Sequence, residues 1–211
     1  MKRAIITPTF KGHFKYIKRY LESFKKYVTD PNEVTIIFTI SKDEEKLFKN
    51  IIKPYKELPI QVLYLEELLA HFGISQTPQL LMDKYKKFSF QTMKKFYTIL
   101  YSDADYFLVL DSESMFIRET NISKLFDDFK QSPFISYSNL KERAYLSNFT
   151  ENVINNIDYI LNTNCDKWFL ENFVWFYDKN ILKDMINDLG QPIEFVDKIY
   201  QNRNAQGIES G

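Results

Sequence analysis

Five apolar residues in a row, Tyr106 to Leu110, end on two acids one residue apart, Asp111 and Glu113. The run is too short for an independent helix and shows no polar alternation, so it fits a strand covered on both faces. Strands of that kind belong to sheets layered between helices. In such open α/β sheets, ligands bind just beyond the carboxyl ends of the strands. Two carboxylates so close together at that rim raise each other's pKa unless they share a cation. A hard divalent ion carrying a diphosphate would relieve the repulsion. The simpler alternative is a strand ending in a solvated acidic turn.

The preceding hundred or so residues supply the sheet that this strand needs. Arg3–Thr7 reads as a short strand stopped by Pro8. After Gly12, the residues Phe14, Ile17, Tyr20, Leu21, Phe24 and Val28 recur with helical period. Asp30-Pro31-Asn32 is a turn, and Val34–Ile40, rich in β-branched residues, is a second strand. Ser41 opens a helix with Glu44 as its capping-box partner, and that helix ends near Pro54. Ile60–Leu65 is a third strand. Strand, helix, strand, helix, strand is the order of a parallel sheet with crossover helices. Glu66–Tyr101 is expected to be helical, with breaks at Gly73 and Pro78. Beyond Ile117, helices are expected at Ser123–Phe129, Val153–Leu161, Asn180–Leu189 and Ile193–Tyr200. Strands are expected at Phe134–Tyr137 and Phe173–Tyr177, with irregular chain from Asn202.

Composition narrows the function classes. A chain of 211 residues can bury a real core as one domain. Lys and Arg total 28 against 28 Asp and Glu, so no net field favours nucleic acid. A single cysteine, Cys165, forbids an intrachain disulfide and suits a reducing, cytoplasmic setting. Met1–Pro8 lacks the apolar core of a signal peptide, and no run reaches the length of a membrane span. Aromatic residues, at 17%, can serve a core or a sugar-binding cleft.

Three features stand in order along the first half. The first strand runs into Thr7-Pro8-Thr9. The helix before the central strand contains Phe90-Gln91-Thr92-Met93-Lys94-Lys95-Phe96-Tyr97. In that helix Met93, Tyr97 and Leu100 mark the face expected on the sheet. Lys94 and Lys95 lie off it, and helical geometry does not choose between them. The third feature is the strand that ends in Asp111-Ser112-Glu113. Asp103-Ala104-Asp105 precedes that strand and therefore belongs to the opposite edge of the sheet.

Together these features, over residues 3 to 117, resemble the GT-A glycosyltransferases of bacterial surface (capsular) polysaccharide synthesis. The resemblance implies an α/β, Rossmann-like GT-A fold with a mostly parallel central sheet flanked by helices. It implies one domain over 1–211, with a nucleotide-binding half at 1–117 and an acceptor-side half at 118–211 that is short for the fold at its C-terminus. By the same resemblance, Thr7, Pro8 and Thr9 would wrap the nucleotide of a sugar donor, UDP-linked by default. Lys94 or Lys95 would stand near its phosphates, with Lys95 in the better register to Asp111. Asp111 and Ser112 would face the donor, and Asp111 with Glu113 would ligate Mn²⁺ or Mg²⁺. Glutamate at the last acidic position departs from the commoner aspartate and leaves open which carboxylate binds directly. The implied partners are the donor and a glycan acceptor, with a place at the inner membrane face and no nucleic acid.

Other residues carry less. Glu209, between Gly207 and Gly211, is a candidate general base for the acceptor hydroxyl. Asn172-Phe173-Val174-Trp175 falls where the acceptor side would form, and Trp175 or Trp168 could stack on a sugar or fill a core. His13, His71 and Cys165 have no partner at ligand spacing and read as ordinary residues. Two other functions share parts of this pattern. One is a non-catalytic GT-A-like module binding a glycan or a partner enzyme. The other is a haloacid-dehalogenase-type phosphohydrolase, whose nucleophile also ends an apolar strand but usually near the N-terminus.

Overall fold

A computed structural model describes residues 1–133, 138–139, 148–168 and 175–205. The chain divides into two compact units, one of Met1–Pro133 with Val174–Lys183 and the other of Phe134–Phe173 with Asp184–Gly211.

The first unit is built on five strands: β1 (Arg3–Pro8), β2 (Thr35–Ile40), β3 (Ile60–Tyr64), β4 (Tyr106–Val109) and β7 (Trp175–Asp178). Their order is β3-β2-β1-β4-β7, parallel throughout except for β7. Ile5 sits between Ile36 on one side and Leu108 on the other. The expected α/β architecture with a mostly parallel sheet is the one observed.

Alternation along the strands sends Ile5, Ile36, Phe38 and Leu108 to one face of the sheet. There α1 (Phe14–Tyr27) buries Phe14, Ile17, Tyr20, Leu21 and Phe24, and α2 (Glu45–Ile52) buries Phe48. The Phe38 ring meets Phe48 at 5.1 Å and Tyr20 at 6.0 Å between centroids. Each such fully buried side chain contributes about 1.5–3 kcal/mol of transfer free energy. Ala4, Ile6, Phe107 and Val109 point to the other face and are equally buried. Short α3 (Leu65–His71) and long α4 (Pro78–Tyr101) follow β3. Thr39, on the second face, meets Thr98 of α4 at 2.8 Å between hydroxyl oxygens. The Thr77 side chain caps α4 by accepting from Leu80 N, and the helix breaks at Lys86, where φ is 62°.

The stretch after β4 is moored at three points. Leu110 N donates to the Ile6 carbonyl, Phe116 N to Ser23 Oγ, and Thr120 N to the Tyr27 carbonyl. The following helix, α5 (Ile122–Gln131), receives a cap from far away in sequence. The Asp30 carboxylate accepts from Ile122 N at 2.6 Å and Ser123 N at 2.9 Å.

In the second unit, β5 (Ser138–Asn139) pairs with β6 (Lys167–Trp168), and α6 (Asn148–Leu161) packs with α8 (Pro192–Ala205) through a buried Asn202–Asn156 hydrogen bond of 3.1 Å. Between β7 and α8 runs α7 (Lys179–Leu189), ended by Gly190 at φ 92°. Among the described residues no helix is long and apolar enough to cross a membrane.

Three expectations change. The strand expected to be buried near residue 175 is a half-buried, antiparallel edge strand, because among the described residues it pairs with β4 alone. Helix α8 continues through Asn202 to Ala205, residues expected to be irregular, because Asn202 is buried against α6. Phe134–Tyr137, Phe173 and Val174 lie outside the described residues.

Candidate functional site

Strands β1, β2 and β3 step outward in one direction, whereas β4 pairs on the far side of β1. In an open α/β sheet the carboxyl ends of such central strands are where ligands bind. Four elements meet there: the loop after β1, the turn after β4, the middle of α4 and the start of β7. Trp175 reaches that rim because β7 runs antiparallel and pairs Trp175 with Val109.

The acidic turn does not present its two carboxylates to one point. Asp111 Oδ1 is shielded from solvent and stands 3.2 Å from the Lys95 ammonium, with Lys95 only 15% exposed. The approach is an ion pair without hydrogen-bond alignment. Lys95 also lies over the Trp175 ring, 4.6 Å from its centroid, so a cation–π contact adds to the carboxylate's hold. Glu113, about half exposed, turns instead toward His13. Its Oε2 lies 3.4 Å from His13 Nδ1 and accepts from Ser112 Oγ at 3.3 Å. His13 Nδ1 is also 3.2 Å from Ser112 Oγ, and its ring leans on Phe10 at 4.5 Å.

His13 is thus a site residue that sequence reading passed over. Its acidic partner exists but is supplied by a loop 99 and more residues away, which no spacing rule could reveal. The pairing of parallel β1 and β4, both recognisable as strands, was the one available signal.

The two lysines separate clearly. Lys95 faces Asp111, whereas Lys94, expected off the packed face, is buried and donates to the Thr9 carbonyl at 2.6 Å. Burial lowers the Lys94 pKa to about 8, against a smaller opposing pull from Glu44 and Glu66. Thr7 and Thr9 are buried, and neither hydroxyl reaches solvent; that of Thr7 faces the Tyr20 hydroxyl. Pro8 itself ends β1 opposite Thr39. Ser112 is buried and turned to His13 and Glu113.

Other candidates fall elsewhere. Asp103 and Asp105 pair with Lys2 at the opposite edge of the sheet, as their position before β4 requires. His71 packs between the rings of Phe72 and Tyr101. Cys165, in the second unit, is a free thiol whose Sγ contacts the Lys167 carbonyl. Trp168 lies on β6 of that unit, and Glu209 and Asn172 are outside the described residues.

Among the described residues, no three His, Cys, Asp or Glu side chains gather as a ready metal cage. The acidic turn holds carboxylates two residues apart, Asp111 engaged by Lys95 and Glu113 by His13, so a cation shared by both would have to displace at least one of those contacts. Magnesium-like ions are commonly held by one or two carboxylates, with the remaining ligands from phosphate and water.

No protein-family model and no curated protein matches the chain. Solved structures do. The bifunctional glycosyltransferase WbbM, in its apo form, has a TM-score of 0.52 at 10% identity, over 96% of this chain and 37% of that one. S. aureus TarS 1–349 gives 0.48 at 17% identity, over 96% of this chain and 56% of that one. Mouse xyloside xylosyltransferase 1, also apo, gives 0.48 at 11% identity over 98% and 81%. The chain spans little more than half the length of the TarS structure it matches. The likeness to WbbM, together with the strand order and helical layers, shows that the fold is of the GT-A glycosyltransferase type.

Proposed function

We propose that this chain transfers a sugar from a nucleotide sugar, UDP-linked, to a hydroxyl of a glycan acceptor, in the synthesis of a surface polysaccharide on the cytoplasmic side of the membrane. The observation that carries the reading is the Lys95–Asp111 pair beside Glu113, set at the carboxyl ends of neighbouring β1 and β4.

The residues divide the work by charge. Asp111 and Glu113 would hold Mn²⁺ or Mg²⁺, which when bound supplies positive charge to a departing diphosphate. Lys95 places a second positive charge at the same rim, fixed by a carboxylate and an indole, so little reorganisation is needed as phosphate charge develops. His13 and Ser112 orient Glu113. The loop after β1 would flank the nucleotide. Glu209 is the proposed base for the acceptor hydroxyl.

The test is a calorimetric titration of UDP with Mn²⁺ and with EDTA, on the native chain and on Asp111→Ala and Glu113→Ala. Metal-dependent binding, weakened at least tenfold by either substitution, is the expected result. Binding indifferent to Mn²⁺ and to both substitutions would defeat the assignment and favour a non-catalytic module.

A further inference from the structure

We propose that Lys94 is a positioning residue: its buried ammonium clamps the loop leaving β1 at the carboxyl rim of the sheet, and the fold gives up stability to keep it there. The inference rests on the functional reading above only in taking that rim as the ligand site.

Lys94 is 8% exposed, and the only hydrogen bond of its ammonium among the described residues is to a neutral group, the Thr9 carbonyl at 2.6 Å. No carboxylate lies within ion-pair distance of it among those residues. The acids whose charge reaches it, Glu44 and Glu66, are engaged elsewhere. Glu44 accepts from Lys11 N at 2.6 Å and from Ser41 N at 3.4 Å, and Glu66 accepts from Lys42 N at 2.9 Å. A buried charge with a single neutral acceptor is costly to the fold, and a methionine would fill the same space without that cost.

What the ammonium secures is the loop. Thr9 N donates to the Thr39 carbonyl at 3.1 Å, so with Lys94 both backbone polar groups of Thr9 are held, one by β2 and one by α4. The helix is tied in turn. Thr98 Oγ1 donates to the Lys94 carbonyl at 2.7 Å and meets Thr39 Oγ1. One residue beyond Thr9, the Phe10 carbonyl accepts from His13 N at 2.8 Å, and the Phe10 ring supports the imidazole that faces Glu113. The clamp therefore sets where His13 stands.

Lys94→Met in the full chain tests this by three readings. The first is amide hydrogen exchange at Lys11 and His13, expected to quicken about tenfold in the variant while Ile5 and Ile36 in the sheet stay protected. The second is urea unfolding from pH 7 to 10. Because burial holds the folded amine's pKa below its unfolded value, the unfolded chain binds the extra proton over this range. Native stability should therefore rise with pH relative to the variant, with an unfolding equilibrium constant falling at least tenfold more. Unchanged loop exchange, or identical pH profiles for the two proteins, overturns the proposal. The third reading is UDP affinity, expected to weaken about tenfold in Lys94→Met. Equal affinity in both proteins also overturns the proposal. Failure of the native chain to bind UDP at all strikes the functional reading instead, and the exchange and pH readings then still decide the role of Lys94.

Discussion

Charge pairing at the carboxyl rim of the sheet can be measured without any ligand. At the 3.2 Å separation of Lys95 and Asp111, and an effective dielectric constant of about 20, the gross attraction is about 5 kcal/mol. Desolvation opposes it, because Lys95 is 15% and Asp111 34% exposed. A net coupling of about 1–2 kcal/mol is expected, above the ~0.2–1 kcal/mol usual for fully exposed pairs. The perturbation is a double-mutant cycle of Lys95→Met, Asp111→Asn and the two together, read by urea unfolding at neutral pH. Lys95→Met should be the costlier single change, since it leaves Asp111 Oδ1 buried with neither a countercharge nor a hydrogen bond. Adding Asp111→Asn should then recover part of the loss. A coupling below about 0.3 kcal/mol, within ordinary additivity, would mean that the two charges do not hold one another, and the electrostatic account of the site would fall with it.

Two further outcomes concern the frame. Asp30→Ala should cost about 1 kcal/mol and loosen the first turn of α5, seen as faster amide exchange at Ile122 and Ser123. Desolvation pushes the Asp30 carboxyl up, but the Ser123 hydroxyl and the backbone donors outweigh it and hold its pKa low. Its contribution should thus be complete above the ordinary carboxylate range and vanish as pH falls through the lowered value, a loss that Asp30→Ala should not show. Phe38→Ala should cost about 3–5 kcal/mol in urea unfolding, because the ring is fully buried between Tyr20 and Phe48.

The first half of the molecule was legible because local pattern and tertiary demand agree there. Tyr106–Leu110 reads as a strand in the sequence and Tyr106–Val109 is one in the structure, since apolar residues with neighbours on both sides have no better use. The Ser41–Glu44 capping box forms as expected, because both partners lie within one turn. Lys94 was misplaced for the opposite reason. Its burial depends on a carbonyl 85 residues earlier in the chain, and nothing in a helical wheel distinguishes it from Lys95. The pairing of Glu113 with His13 was hidden in the same way. The antiparallel run of β7 was hidden too, because the direction of an apolar segment leaves no mark on its composition.

The moorings after β4 bear on how such a protein could diverge. Asp111 follows a residue anchored to β1, and the chain is caught again at Phe116 and Thr120. Between and just past these fixings, Met115 and Ile117 protrude, 45% and 75% exposed. Replacements there disturb neither the strand that aims Asp111 nor the helix that begins at Ile122. A lineage could rewrite the protruding part of this rim, and so change what it contacts, while inheriting the charged centre intact.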